Sequence, residues 1–423
     1  MTGTVNVSRR TFIGAAAAGA AAATTGLACS SDDDATGTSA GTGAGPTTSV
    51  DLPVAFTPVL FSTVGAETAP VECSDGRWRV LYELVLTNSK PAPASLDRIE
   101  VVDAHDLGTV VATLADDDLT SSLHRLSGAP EPSTTIAPDA ARLLYVELVF
   151  DALDDVPDVV AHRFVGDAAA NPGTSEASPV EYVTAPFALR NRSEAIIAAP
   201  LRGGRWLAVN GLDSTTGVHR GSVQSVGGQL FDAQRFAIDW MKLDDAGHLA
   251  SGDPAELSAY HGYGEPVLAV ADGTVVDVAD ALDDQPPGTL PDPADITLET
   301  VDGNHVVLEI GEDVYAFYAH LSPGSVAVAE GDRVSAGDEI GELGNSGNTS
   351  APHLHLHLMT TPDPLASDSI PYVFESFSLR GKVSDEAWGL ADDISGPWEI
   401  EDPGESERSD QLPLGLDVIS FPS

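Results

Sequence analysis

Cysteine and lysine are scarce in this chain. Two cysteines, Cys29 and Cys73, stand among 423 residues, so neither a disulfide framework nor a four-cysteine zinc module can be built. Lysine occurs only at Lys90, Lys242 and Lys382, and Lys+Arg total 20 against 65 Asp+Glu. The formal charge of −45 argues against nucleic acid as a partner, because phosphate binding needs clustered cations. Such a surface suits a high-salt medium, where screening removes self-repulsion, or else reflects a generally acidic proteome. No strongly apolar run reaches the ~20 residues a spanning helix needs. What is present is 42% hydrophobic residues, enough for packed cores, in a length that predicts two or three domains.

The amino terminus reads as an address. Ser8-Arg9-Arg10-Thr11-Phe12-Ile13 precedes a weakly apolar Ala/Gly run from Gly14 to Ala28, the pattern of a twin-arginine export signal. Gly26-Leu27-Ala28-Cys29 is similar to a lipobox, with the large aliphatic residue two before the Cys rather than three. Lipidation of Cys29 would anchor the protein to the membrane on the outer side, in the cell envelope. It would also leave no cysteine pair for a disulfide, so Cys73 is expected to be a buried thiol. Residues 30–51, rich in Ser, Asp, Gly and Thr, are expected to form a flexible linker.

Beyond the linker the pattern is all-β. Short apolar runs at Val54–Phe61, Trp78–Thr87, Leu96–Val102, Val110–Leu114 and Leu143–Phe150 predict an immunoglobulin-like β-sandwich over residues 52–185. It carries no catalytic constellation, since His105 and His124 stand alone, and reads as a spacer or binding module. A second strand-rich body over 195–385 is predicted from Arg205–Val209, Phe236–Leu243, Pro266–Val270, Gly273–Val278, His305–Ile310, Val314–His320 and Leu354–Met359. The Pro- and Asp-rich stretch 281–303 reads as an inserted loop. Residues 386–423 read as an acidic, largely irregular tail, with Trp388 and Trp398 as possible anchors.

The chemistry concentrates in Pro352-His353-Leu354-His355-Leu356-His357-Leu358. On a strand, alternation puts His353, His355 and His357 on one face and the three leucines on the other. That is a core on one side and a polar, metal-competent surface on the other. His320, in Tyr318-Ala319-His320-Leu321, ends a strand. Asp239 lies inside an apolar strand, where an Asp is costly unless paired or metal-bound. These residues, with Gly264-Glu265-Pro266-Val267, Ala271-Asp272-Gly273-Thr274-Val275, Val328 to Val334, Gly337 to Gly341 and Gly344-Asn345-Ser346-Gly347-Asn348-Thr349, resemble the lysostaphin/LytM-type zinc metalloendopeptidases. The resemblance implies a LytM-type (duplicated hybrid motif) antiparallel β-sheet domain with a groove across the sheet. It implies zinc as cofactor, and cell-wall peptidoglycan or another wall peptide as substrate. It makes Asp239 and His355 metal ligands, and His320 and His353 the catalytic residues that act on the attacking water and the oxyanion.

One departure matters. Where the family has a metal-binding His four residues before the Asp, this chain has Arg235, which offers no lone pair. Two ligands alone hold zinc weakly. The candidate replacement is His219: a hairpin centred on Gly227-Gly228 pairs position 219 with about 236, and a one-residue bulge would bring it beside Arg235. His261 and His357 are weaker candidates, and His357 is alternatively a partner behind the site. Arg235 itself is expected to neutralise an acidic neighbour or to bind a substrate carboxylate. Two functions follow: an exported zinc metalloendopeptidase acting on wall peptide, or a catalytically degenerate LytM-like lipoprotein that binds the wall or regulates another hydrolase.

Overall fold

The structure, a computed structural model, describes residues 50–423 except 66–67, 172–173, 191, 213–217, 391–395 and 402–403. The twin-arginine segment, Cys29 and most of the linker lie outside the described residues. Among those described, no helix is long and apolar enough to cross a membrane.

The chain is almost entirely β. Two five-stranded sheets form the amino-terminal body. One runs Val59–Val64, Trp78–Asn88, Ala141–Phe150, Leu123–His124, with Val71–Glu72 beside Trp78–Asn88. The other runs Ser178–Ala188, Val159–Ala168, Ala94–Asp103, Val110–Ala115, with Thr135–Ile136 beside Ala94–Asp103. Val80, Tyr82, Leu84 and Val146 of the first sheet pack on Ile99, Val101, Val160 and Phe164 of the second, so the two form a sandwich around one core. The strand Trp78–Asn88 alternates imperfectly because its second face is covered too. Leu81 enters the core of the following body, and Glu83 is fully buried beside it. Cys73 is a buried thiol, as expected.

The second body is built on an eleven-stranded sheet. Its order is Arg333–Val334, Gly273–Ala279, Asn304–Gly311, Val314–Leu321, Leu354–Met359, Ile238–Leu243, Arg205–Val209, Asp417–Ser420, Phe377–Val383, Ile400–Glu401, with Ser406–Arg408 also on Phe377–Val383. The pairings in the middle are antiparallel. Leu354, Leu356 and Leu358 sink into the core with Trp240, Val306 and Tyr318. The register sets Asp239 opposite His355, and His355 opposite Ala319. Residues opposite one another across a ladder share a face, so this register places a carboxylate and an imidazole side by side.

The carboxy-terminal segment departs from expectation. Asp417–Ser420 lies within the sheet, between Arg205–Val209 and Phe377–Val383, and Leu412, Val418 and Ile419 are fully buried. Ser74 of the sandwich hydrogen-bonds Asp417, and the backbone of Cys73 bridges Leu412. Acidic flanks conceal the apolar alternation of Leu412, Leu414, Leu416 and Val418, too short a pattern to outweigh its composition. Trp398 is buried, with its ring 5.1 Å from that of Trp388.

Candidate metal centre

The site lies on the face of the sheet opposite the leucines. His353, His355 and His357 are each at most 4% exposed. Asp239 Oδ1 is the focus: His355 Nδ1 lies 3.0 Å away, His219 Nε2 3.3 Å and His353 Nε2 3.4 Å. Asp239 Oδ2 accepts a 2.7 Å hydrogen bond from Asn210 Nδ2. The donor atoms of His219, Asp239 and His355 all lie within 4.8 Å of one another.

Carbonyl partners fix the tautomers of His219, His353 and His320. His219 Nδ1 faces only carbonyl oxygens, Asn210 O at 2.9 Å and Ala237 O at 3.0 Å, so it donates and Nε2 keeps its lone pair. His353 Nδ1 likewise donates to Ala351 O and His320 Nδ1 to Ser346 O, each at 2.8 Å. His355 Nε2 bonds His357 Nδ1 at 2.8 Å; with Nε2 as donor, its Nδ1 lone pair points at Asp239. Asp239 Oδ1 therefore meets imidazole lone pairs, an arrangement that repels unless a proton or a cation sits between them. The donor set fits a divalent metal: two imidazoles and a carboxylate on one side, an open cleft on the other. Three protein ligands with a free fourth position is the pattern of a catalytic rather than a structural zinc site.

A proton sits between these groups where no cation does. Burial raises the Asp239 carboxyl, but His219 and His353 outweigh it and hold the group well below its ordinary value. Burial pulls His355 down to about 4 and holds His320 well below the ordinary imidazole value, so both are neutral bases at pH 7. Burial also pulls on His353, yet the Asp239 carboxylate leaves it raised.

The surrounding loops complete a small open cleft of about 100 Å³. Asn210, Gln234, Leu290, Val301, Asp302 and Thr349 are among its walls. The inserted stretch 281–303 contains no strand or helix and runs along the Gly344–Ser350 loop, with Asn345 N donating to Asp284 Oδ1 and Gly288 N to Ser350 O. The two loops touch closely at Gly347 (φ +82°), where a Cβ would lie 2.4 Å from Gly303 N. Ser346, held there, presents the carbonyl that orients His320. His320 itself has left-handed backbone (φ 64°), a conformation uncommon for a side-chain-bearing residue and typical of functional positions.

The structure thus gathers Asp239, His355, His219, His320 and His353 in one place. The hairpin around Gly227-Gly228 forms with Gln224 opposite Phe231, but its ladder stops there. His219 reaches the site on a turn before the hairpin, outside the ladder and not through a bulge in it. Arg235 faces away, bonded to Glu83. His357 stands behind His355, whereas His261 contacts Ser251 and Asp244 instead. Asn210 was not foreseen. Its amide holds Asp239 and its carbonyl holds His219, and its only sequence signal is an Asn-Gly pair at the end of a strand.

Residues 257–367 match Peptidase family M23. Two curated relatives are similar over short stretches. Peptidoglycan DD-endopeptidase ShyA of Vibrio cholerae serotype O1 is 40% identical over 63 residues, 15% of this chain and 14% of that protein. Glycyl-glycine endopeptidase ALE-1 of Staphylococcus capitis is 33% identical over 113 residues, 26% of each chain. The chain thus spans about a quarter or less of the length of these relatives. Among solved structures, the catalytic domain of the antimicrobial peptidase lysostaphin from Staphylococcus simulans is 20% identical, covering 34% of this chain and 80% of that one, with a TM-score of 0.22. The carboxy-terminal region carries a peptidase family M23 domain, homologous to the lysostaphin/LytM-type endopeptidases. The matched segment contains His320, His353, His355 and His357, and begins after both His219 and Asp239.

Proposed function

We propose that this protein is an exported zinc metalloendopeptidase that hydrolyses peptide bonds of cell-wall peptidoglycan or another wall peptide, with zinc held by His219, Asp239 and His355. The observation that carries the reading is the convergence of three histidine nitrogens on Asp239 Oδ1, with the donor atoms of His219, Asp239 and His355 within 4.8 Å of one another. Zinc bound there would supply Lewis acidity and lower the pKa of a water. His320 and His353, whose rings are tilted by 51° with centroids 4.7 Å apart, stand beside the three donors. His320 is the neutral base for the proton of the attacking water. His353, raised by Asp239, is suited to donate a hydrogen bond to the oxyanion of the tetrahedral carbonyl. The names of the two curated relatives, both endopeptidases and one a peptidoglycan endopeptidase, favour the substrate class.

The twin-arginine pattern and Cys29 support export and a lipid anchor at the outer side of the cytoplasmic membrane, with the immunoglobulin-like sandwich beneath the peptidase. The degenerate alternative rests on Arg235 alone, and a third donor weakens it. The test is zinc per full chain, purified without a His tag and dialysed against a weak chelator, followed by release of peptide fragments from isolated walls. About one zinc per chain with chelator-sensitive release is expected. A folded chain that retains no zinc would overturn the enzyme reading and leave a wall-binding or regulatory lipoprotein.

A further inference from the structure

Of the three metal donors, two are held by ladders. Asp239 and His355 sit opposite each other in paired strands. His219 lies on a turn, so its position depends on what anchors that turn. The next residue, Arg220, is 1% exposed and reaches into the amino-terminal sandwich. Its Nη2 donates to Val146 O at 2.9 Å, its Nε is 3.5 Å from Glu83 Oε1, and its Nη1 is 3.5 Å from Glu147 Oε2. Its guanidinium lies 5.9 Å from the centre of the Tyr145 ring.

Arg235, four residues before Asp239, meets the same carboxylate from the other side. Its Nε donates to Glu83 Oε2 at 2.7 Å, its Nη2 is 2.5 Å from that oxygen, and Asp232 Oδ2 is 3.6 Å from Nε. Burial and the adjacent Glu83 raise the Asp232 carboxyl well above its ordinary value, which makes Asp232 a poor counter-ion. Glu83, fully buried, is thus the charge that holds two buried guanidiniums together. Without it Arg220 would keep Glu147 at 3.5 Å and Arg235 only Asp232 at 3.6 Å, and a buried ion that loses its nearest partner is strongly destabilising.

We propose that Glu83, with Glu147, is a positioning residue for the metal centre, so that the amino-terminal sandwich sets the His219 donor through Arg220 and is part of the site rather than a spacer. By linkage, metal binding then tightens the docking of the two bodies as much as docking tightens the metal. This inference rests on the metal-centre reading above.

The experiment uses the full chain, stripped with chelator and titrated with Co²⁺ against a competing chelator while the visible spectrum is recorded. Outer residues that orient ligands typically cost 10–100-fold in metal affinity, so Glu83→Gln is expected to weaken Co²⁺ binding by roughly that factor and to alter its spectrum. Glu147→Gln, at a carboxylate that is 20% exposed, should act in the same direction more weakly, and it decides the matter if Glu83→Gln does not fold. Ser74→Ala loosens a different contact between the two bodies, the one to Asp417, and should leave affinity and spectrum unchanged. Wild-type affinity and spectrum in the folded Glu83 and Glu147 variants would overturn the proposal, as would an equal loss in Ser74→Ala. A wild-type chain that binds no Co²⁺ would instead sink the metal-centre reading on which it stands.

Discussion

His219→Ala separates a working metal centre from a fold that merely resembles one. The side chain is 6% exposed, with one ring nitrogen committed to carbonyls and the other 3.3 Å from Asp239 Oδ1. Truncation has two separable costs. It leaves Asn210 O and Ala237 O without their shared donor, a stability loss of about 1–3 kcal/mol that a melting curve reads. In the proposed metal centre it also reduces three donors to two. Ligand-orienting residues already cost 10–100-fold, so loss of a ligand itself should cost at least about 100-fold, or about 2.7 kcal/mol of metal binding. The assay is Zn²⁺ competition against a chromophoric chelator, with and without millimolar imidazole, which can enter the vacated space and restore a lone pair. His261→Ala, at a residue well outside the site, serves as the control. A folded His219→Ala chain with undiminished zinc affinity would refute the reasoning and make His219 a structural residue.

Three further outcomes follow from the same geometry. Arg235→His, which restores the family's residue type, should not raise the metal per chain, because this side chain points at Glu83; breaking that buried pair should cost about 3–5 kcal/mol, read by urea unfolding. Asn210→Gly keeps the left-handed backbone (φ 59°) but removes the amide on Asp239, and should weaken zinc binding about tenfold, measured by chelator competition. His162 is buried between Tyr82 Oη and Ala185 O, each 2.8 Å away, and burial lowers its pKa from 6.5 to about 4. Below pH 6.5 the unfolded chain takes up this proton and the native state does not. Stability should therefore fall by up to about 3 kcal/mol as the pH drops from 6.5 to 4, and His162→Gln should flatten that slope in urea titrations.

Much of the site was legible in the sequence because its signals are local. A His-Leu-His-Leu-His run on a strand has only one way to divide its faces, and the leucines do enter the core while His353 and His355 line the cleft and His357 stands behind them. An Asp within Phe236–Leu243 had to be compensated, and the compensation is a cluster of imidazoles. The strands Arg205–Val209 and Leu354–Met359 carry the bounds expected of them, since apolar alternation between turn residues is the same physics in chain and in fold.

Tertiary structure alone decided the rest, because those contacts join residues far apart in the chain. His219 was a candidate from a hairpin pairing that does not extend to it, and it meets Asp239 from a turn instead. Arg235 read as a missing ligand expected to neutralise an acidic neighbour or bind a substrate carboxylate; only the fold identifies its partner as Glu83, 152 residues away in the chain. The acidic carboxy-terminal segment offered no periodicity long enough to be read, yet it supplies a strand within the main sheet, because an unfilled slot between two ladders rewards even four residues that can satisfy it. Local pattern determined which residues could do chemistry, and long-range packing determined which of them meet.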